Sequence, residues 1–417
     1  MMKYLIRGGQ RLFGSVRISG SKNAVLPILA ASVVTGKKSI IHNCPDISDV
    51  RITIEILKHL GCEASFSDNT AIIDSSGIID YNVPAELMGK LRSSIIFLGA
   101  FINRFKEARI SHPGGCELGE RPIDIHLALL REMGVTIEDT NGEITYRYDN
   151  LNEGVYTLSF PSVGATENIM IAALHANGTV IIKNPAKEPE IVDLQNFLRA
   201  CGVNISGAGT DRIIVEPTCE YQDCEYTVTS DRIEAATYMA MATATGGTVR
   251  LENAPCKDLD SIITMISAMG VHVLKNSESE LTVFAPSHLK PLDIITTKPH
   301  PGFPTDAQAI LMATLLKAKG STIIVENIFE RRYNHIPELI RMGANIDAGG
   351  KTAKVHGVKK LHGADVIATD LRAGASLIIA ALCADGDTHI SDVHHIERGY
   401  ENIVGKLQIL GADIREC

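Results

Sequence analysis

No apolar run in this chain reaches the ~18 residues of a membrane-spanning helix. Its N-terminus, M-M-K-Y-L-I-R-G-G, has no long apolar region followed by a small-residue cleavage site. The chain is therefore expected in the cytoplasm, without a membrane partner. Nine cysteines occur without a C-x-x-C pair, which fits neither a disulfide framework nor a zinc site; reduced thiols, several of them in cores, are expected. Fourteen histidines include no H-E-x-x-H or comparable ligand spacing, and His394 and His395 read as turn or packing residues. A Walker sequence is missing, as is G-x-G-x-x-G after a strand; G-A-G-T-D at Gly207 is too short and sits in a hairpin position. A net charge of −9 argues against nucleic acid as a partner but leaves room for a local basic pocket that takes a small anion.

With 417 residues, 45% of them hydrophobic, the chain is long enough for two or three domains, and it carries an internal repeat. A glycine followed by an alternating strand recurs as G-K-K-S-I-I-H-N from Gly36, G-T-V-I-I-K-N from Gly178, G-T-V-R-L-E-N from Gly247, G-S-T-I-I-V-E-N from Gly320 and G-D-T-H-I-S-D from Gly386. A sixth copy, E-A-R-I-S-H-P from Glu107, lacks the glycine. The starts lie 71, 71, 69, 73 and 66 residues apart, a period of about 70.

Each repeated strand leads into a helix that ends at Gly61, Gly134, Gly202, Gly270, Gly343 or Gly411, where glycine supplies the left-handed conformation that closes a helix. Before each repeated strand lies another helix with little polar surface, such as A-V-L-P-I-L-A-A-S-V-V from Ala24 or G-A-S-L-I-I-A-A-L from Gly374. A helix apolar all round should be surrounded by protein, whereas alternating strands suit a sheet with one solvated face. The pattern predicts an α/β fold with helices inside and sheets outside. Six units divide into two domains of three, residues 22–229 and residues 1–21 plus 230–417. The last unit is one strand short, and the N-terminal segment is expected to complete it. No Pro- or Ser-rich linker marks either crossing.

The repeat also organises the polar residues. A polar cluster opens each apolar helix: Lys22 and Asn23, Arg92, Ser162 to Thr166, Asp231 and Arg232, Thr305 and Asp306, and Asp370 with Arg372. Capping explains the Ser, Thr and Asp positions. It does not explain Lys22, Arg92, Arg232 or Arg372, because a cation at a helix N-terminus opposes the helix dipole. An anion is the expected compensation, and converging helix starts would form a cleft between the domains for phosphate and carboxylate groups. The second turns add Arg121, Lys187 with Glu188 and Glu190, Arg331 and Arg332, and Glu397 with Arg398; Glu188 is expected to pair with an arginine and hold its fork. Asp306 and Asp370 are two candidate bases. In S-H-P-G-G-C-E-L-G-E-R-P-I-D-I-H, Cys116 lies between Gly114, Gly115 and Gly119, where backbone freedom leaves a thiol open to react.

Taken together, S-G-S-K-N-A-V-L-P, P-G-G-C-E-L-G-E-R-P-I-D-I-H, P-S-V-G-A-T-E-N, P-H-P-G-F-P-T-D, A-T-D-L-R-A and I-E-R-G-Y-E resemble the UDP-N-acetylglucosamine enolpyruvyl transferases (1-carboxyvinyltransferases) over essentially the whole chain. Ser21 stands where many members have alanine. The resemblance implies two inside-out α/β barrel domains built from six repeated units. It implies transfer of the enolpyruvyl group of phosphoenolpyruvate to the 3-hydroxyl of UDP-N-acetylglucosamine, the first committed step of peptidoglycan synthesis, by a monomer without metal or organic cofactor. It further implies that Cys116 delivers a proton to C3 and reacts with epoxides such as fosfomycin, and that Asp306 contacts the 3-hydroxyl. Lys22, Arg121 and Arg398 would hold the phosphate of phosphoenolpyruvate, with Arg332 and Arg372 near its carboxylate. Asn23, Arg92, Arg121, Pro122, Ile123, Asp124, Ile125, Ser162, Val163, Gly164 and Ile328 match sugar-nucleotide contacts. Two rivals stand beside this reading. A 3-phosphoshikimate enolpyruvyl transferase would read G-S-K-S in the first repeat and lack P-G-G-C; a catalytically silent paralogue would bind the sugar nucleotide without turnover.

Overall fold

The computed structural model describes residues 2–78, 81, 83–112, 114, 123–140, 142–218 and 220–417. The chain forms two compact units, one of residues 2–19 with Ser230–Cys417 and the other of the described residues within 20–229.

The third repeat displays the plan. Strand Gly154–Thr157 leads through the buried helix Val163–Ala172 to Val180–Lys183, which pairs with it in parallel. Helix Pro189–Ala200 follows, then the hairpin Asn204–Ser206 and Arg212–Glu216, whose second strand joins the other side of Val180–Lys183 antiparallel. The fifth repeat has the same order, with Ile294–Thr296 parallel to Ser321–Val325 and the hairpin Asn345–Gly349 and Thr352–His356 beyond. In the second repeat the described residues form three strands, Glu107–Ser111, Thr136–Thr140 and Glu143–Arg147.

The N-terminal segment does not act as one piece. Tyr4–Arg7 supplies the strand missing from the sixth repeat, between Asp387–Ser391 and Asp413–Glu416. Phe13–Arg17 instead lies parallel to Thr248–Glu252 of the fourth repeat. Its counterpart Cys224–Thr227 lies parallel to Lys38–His42 of the first. Each strand that precedes a change of unit thus stays behind and fills the parallel edge that the returning chain would otherwise leave unpaired, which matters because a bare edge is a site for wrong pairing.

Burial follows the residue pattern. Every residue of Ala24–Thr35 in the first helix and of Gln308–Leu315 in the fifth is buried, because neither helix has a polar face to turn to water. In each unit the apolar helices pack on one another, while strands such as Arg212–Glu216 and Ser321–Val325 alternate buried and more exposed residues. The six helix-closing glycines all take positive φ, between 89° and 100°.

Candidate functional site

Two of the cations at the helix starts, Lys22 and Arg372, face carboxylates of the chain itself. Lys22 opens the helix Lys22–Thr35, and its Nζ lies 2.8 Å from Oδ2 of Asp49, a buried residue in the first turn of helix Ser48–His59 of the same repeat. The first anion answering the unfavourable dipole is therefore internal. Asn23 follows Lys22, half-buried. Ser21 occupies the cap position without making a capping bond, and its buried Oγ finds no hydrogen-bond partner among the described residues.

In the same unit, Ser162 is a true cap: its Oγ accepts from the amide of Ala165 at 3.4 Å, so helix capping accounts for it locally. Thr166 is not a cap; its hydroxyl donates to the carbonyl of Ser162 and accepts from the amide of Ala186. Arg92 opens a 3₁₀ turn, Arg92–Ile96, and Ile123, Asp124 and Ile125 start the helix Asp124–Glu132. Buried His126, to which no role was assigned from sequence, connects these segments. A Cβ at Gly164 would stand 3.1 Å from its Cε1, so a side chain there would press on the imidazole and glycine leaves it room. The His126 Nδ1 accepts from Nδ2 of Asn168 at 2.8 Å, since the same amide donates to Ile95 and its oxygen accepts from Gly99. Burial, and then the charge of Arg92, lowers the His126 pKa to about 4. Burial, and then the charges of Glu190 and Glu188, push the Glu167 carboxyl well above its usual range. Lys187, at the same turn, pairs with the exposed Asp211 at 2.5 Å.

The other unit holds a more closely coupled cluster. Asp306 sits in the 3₁₀ turn Thr305–Ala307 that opens the fifth apolar helix. Its Oδ1 lies 2.6 Å from Nη2 of Arg332 and its Oδ2 3.4 Å from Nη2 of Arg372. Both guanidiniums are almost fully buried, while the Asp306 side chain is 27% exposed, so the carboxylate is the open member of the triad. Arg332 also donates from Nε and Nη2 to the carbonyl of Thr305 and lies over the ring of Phe329; Arg331 beside it is exposed. Arg372 donates to Tyr400 Oη at 3.0 Å and stacks on the same ring. Burial favours neutral Arg372, but Tyr400 and Asp306 prevail and hold its pKa above the ordinary value.

Asp370 is differently employed. One of its oxygens, Oδ1, accepts from the amides of Arg372 and Ala373 at 2.9 and 3.1 Å and caps the helix Leu371–Leu382. Asp231 caps helix Arg232–Thr245 in the same way, through the amides of Ile233 and Glu234. Arg398 ends the short helix His394–Glu397 and is partly buried. Ile328 is held through its backbone, whose amide donates to Oε1 of Glu326 at 2.7 Å. Cys116, Arg121 and Pro122 lie outside the described residues. Among the described residues, no group of three His, Cys, Asp or Glu side chains is placed to hold a metal ion, and no helix is long and apolar enough to cross a membrane.

His335 lies buried beside Arg332 and Asp370, and burial likewise brings its pKa to about 4. An unfolded chain takes up a proton at either histidine below the ordinary value of 6.5, whereas the folded chain refuses it until near 4. The stabilisation is complete above pH 6.5 and declines as pH falls, by about 1.4 kcal/mol per pH unit for each histidine. His126→Gln, whose side-chain oxygen still accepts from Asn168, is expected to lose more stability relative to wild type at about pH 7 than at about pH 5 in urea unfolding. An equal loss at both values would contradict a buried neutral imidazole.

The family described as EPSP synthase (3-phosphoshikimate 1-carboxyvinyltransferase) matches residues 6–407. The chain is 45% identical over 414 residues to UDP-N-acetylglucosamine 1-carboxyvinyltransferase 2 of Caldanaerobacter subterraneus subsp. tengcongensis, covering 99% of each chain. It is 44% identical over 415 residues to the UDP-N-acetylglucosamine 1-carboxyvinyltransferase of Nitratidesulfovibrio vulgaris, covering 100% of this chain and 99% of the relative. Among solved structures, the enolpyruvyl transferase NikO from Streptomyces tendae superposes with a TM-score of 0.90 at 28% identity, covering 100% of this chain and 99% of that one. An EPSP synthase from Acinetobacter baumannii superposes with a TM-score of 0.77 at 18% identity over the whole of both chains, a likeness of fold alone.

Proposed function

The chain belongs to the enolpyruvyl transferases, and from that premise we infer that it transfers the enolpyruvyl group of phosphoenolpyruvate to the 3-hydroxyl of UDP-N-acetylglucosamine, releasing phosphate in the first committed step of peptidoglycan synthesis. The observation that carries the choice of acceptor is end-to-end identity of 44 to 45% with relatives named for that reaction. The first repeat agrees, since it reads S-K-N-A-V-L-P and not the G-S-K-S of the shikimate enzymes. We place the reaction in the cytoplasm and assign it to a monomer.

In the mechanism we propose, a base takes the proton of the 3-hydroxyl while its oxygen attacks C2 of phosphoenolpyruvate and the thiol of Cys116 gives a proton to C3. The resulting tetrahedral ketal then loses phosphate from C2 and returns a proton from C3 to the Cys116 thiolate, which restores the C2–C3 double bond and leaves the acceptor as an enol ether. Of the two candidate carboxylates we assign the base role to Asp306. It is partly exposed, whereas Asp370 is committed to capping its helix. Arg332 and Arg372 hold the two carboxylate oxygens of Asp306 in place.

Lys22, Arg121 and Arg398 are assigned to the departing phosphate, whose growing charge they would stabilise. Asn23, Arg92, Arg121 to Ile125, Ser162 to Gly164 and Ile328 are assigned to the sugar nucleotide. Incubation with both substrates is expected to yield UDP-N-acetylglucosamine heavier by one enolpyruvyl group, read by mass spectrometry. Recovery of unchanged acceptor from protein that binds it would instead identify a silent paralogue.

A further inference from the structure

We propose that Glu326 is a positioning residue for the transfer reaction, a buried carboxylate that sets the Ile328 backbone and the Thr305–Asp306 turn in one geometry. The inference rests on the roles given above to Ile328 and Asp306. Glu326 is 1% exposed, yet its carboxylate receives four hydrogen bonds. Oε1 accepts from Thr297 Oγ1 at 2.9 Å and from the amides of Ile328 and Phe329 at 2.7 and 3.2 Å. Oε2 accepts from Thr305 Oγ1 at 2.9 Å. The two oxygens thus face two different parts of the site. One holds the loop that carries Ile328 and the Phe329 ring under Arg332; the other holds the residue before Asp306, whose carbonyl takes two bonds from Arg332.

Comparison among the repeats separates this arrangement from ordinary fold maintenance. In the first, third and fourth copies the residue at the end of the repeated segment is an asparagine with φ of 53° to 55°. Its side-chain amide donates to the carbonyl just past the parallel edge strand: Asn43 to Val228, Asn184 to Leu158 and Asn253 to Ile18. The sixth copy keeps the left-handed conformation at Asp392. Asn327 is the fifth copy's counterpart, and it is absent from the non-glycine residues with positive φ. There the joint is made through Thr297, the residue past the edge strand. Its hydroxyl accepts from the amide of Asn327 and donates to Glu326. The fold meets this structural need with asparagine in the first, third and fourth copies. In the fifth it is met through a buried carboxylate whose other bonds run to Ile328, Phe329 and Thr305. A buried carboxylate is stable only when fully hydrogen-bonded, and it then fixes its donors rigidly, as a positioning group must.

The test compares four variants in steady-state kinetics with both substrates. Glu326→Ala is expected to raise the KM for UDP-N-acetylglucosamine about tenfold and to lower kcat about tenfold, with a smaller change in the KM for phosphoenolpyruvate. Glu326→Gln keeps an oxygen for the three donors on one side and turns its amide toward Thr305, whose hydroxyl can accept; it is expected within about threefold of wild type. Thr305→Val removes one hydroxyl and the tie to the Asp306 turn, and should lower kcat with less effect on the sugar-nucleotide KM. Thr322→Val is the matched control. That hydroxyl is buried, more deeply than Thr305, in the strand just before Glu326, and its partner among the described residues is the amide of Leu292, so its loss should cost stability and leave both constants unchanged. If Glu326→Ala does not fold, the pair of threonine variants still decides the matter. Kinetic constants moved equally by Thr305→Val and Thr322→Val, or a Glu326→Ala enzyme with wild-type constants, would overturn the proposal. Wild-type protein without turnover would instead overturn the reading of function on which it rests.

Discussion

Asp306→Asn is expected to lower kcat about a thousandfold while changing the KM for UDP-N-acetylglucosamine much less, because the substitution removes a proton acceptor and little volume. The side-chain oxygen of asparagine can still accept from Arg332 Nη2, which lies 2.6 Å from the native carboxylate. Its amide nitrogen would then face Arg372 Nη2, donor against donor, where the native oxygen stands at 3.4 Å. Two buried guanidiniums would share one neutral partner in place of a charge, so a modest loss of stability should accompany the loss of rate. Single-turnover measurement separates the two effects, since saturating substrate compensates for weak binding and cannot compensate for a missing base. A kcat within about threefold of wild type would move the base role elsewhere, with Asp370 the next candidate.

The second large effect belongs to Cys116. Cys116→Ser is expected to reduce turnover by at least a factor of about a hundred, because a serine hydroxyl is a far weaker acid than a thiol and the addition step needs a proton at C3 of phosphoenolpyruvate. Sugar-nucleotide affinity, measured by calorimetry, should stay close to wild type, since the residues assigned to that ligand are untouched. Irreversible inactivation by an epoxide such as fosfomycin should disappear as well, because the attacking group is a thiolate. A serine variant with full turnover would remove Cys116 from the reaction, and epoxide labelling that persisted would point to another thiol. Among the described cysteines the exposed one is Cys417.

The parts of the fold that sequence made legible were those that repeat. Six glycines at one position of the repeat announced six left-handed helix ends, and six helices without a polar face announced buried helices. The route of the N-terminal segment was not legible as a whole. Tyr4–Arg7 was missed by no pattern, because the last repeat visibly lacked a strand. The place of Phe13–Arg17 depends on which unit the chain has yet to enter, and nothing local encodes that.

The site was legible as a set of residue types and not as a set of partners. Cations opposing helix dipoles signalled anions, but the sequence could not say that Asp49 answers Lys22 or that Asp306 answers two arginines at once. His126 escaped notice because one histidine on a helix carries no signal until the fold sets it against Gly164 of a second helix. Glu326 was invisible for a sharper reason. The dipeptide Glu-Asn ends the repeated strand in both the fourth and fifth copies, at Glu252–Asn253 and Glu326–Asn327, and only the fold buries the second of these glutamates.

The most direct test of the central claim, that UDP-N-acetylglucosamine is the acceptor, is phosphate release from phosphoenolpyruvate with that sugar nucleotide or with shikimate 3-phosphate. Release with the sugar nucleotide alone, abolished by prior treatment with fosfomycin, is the predicted result. Release with shikimate 3-phosphate alone would contradict the assignment.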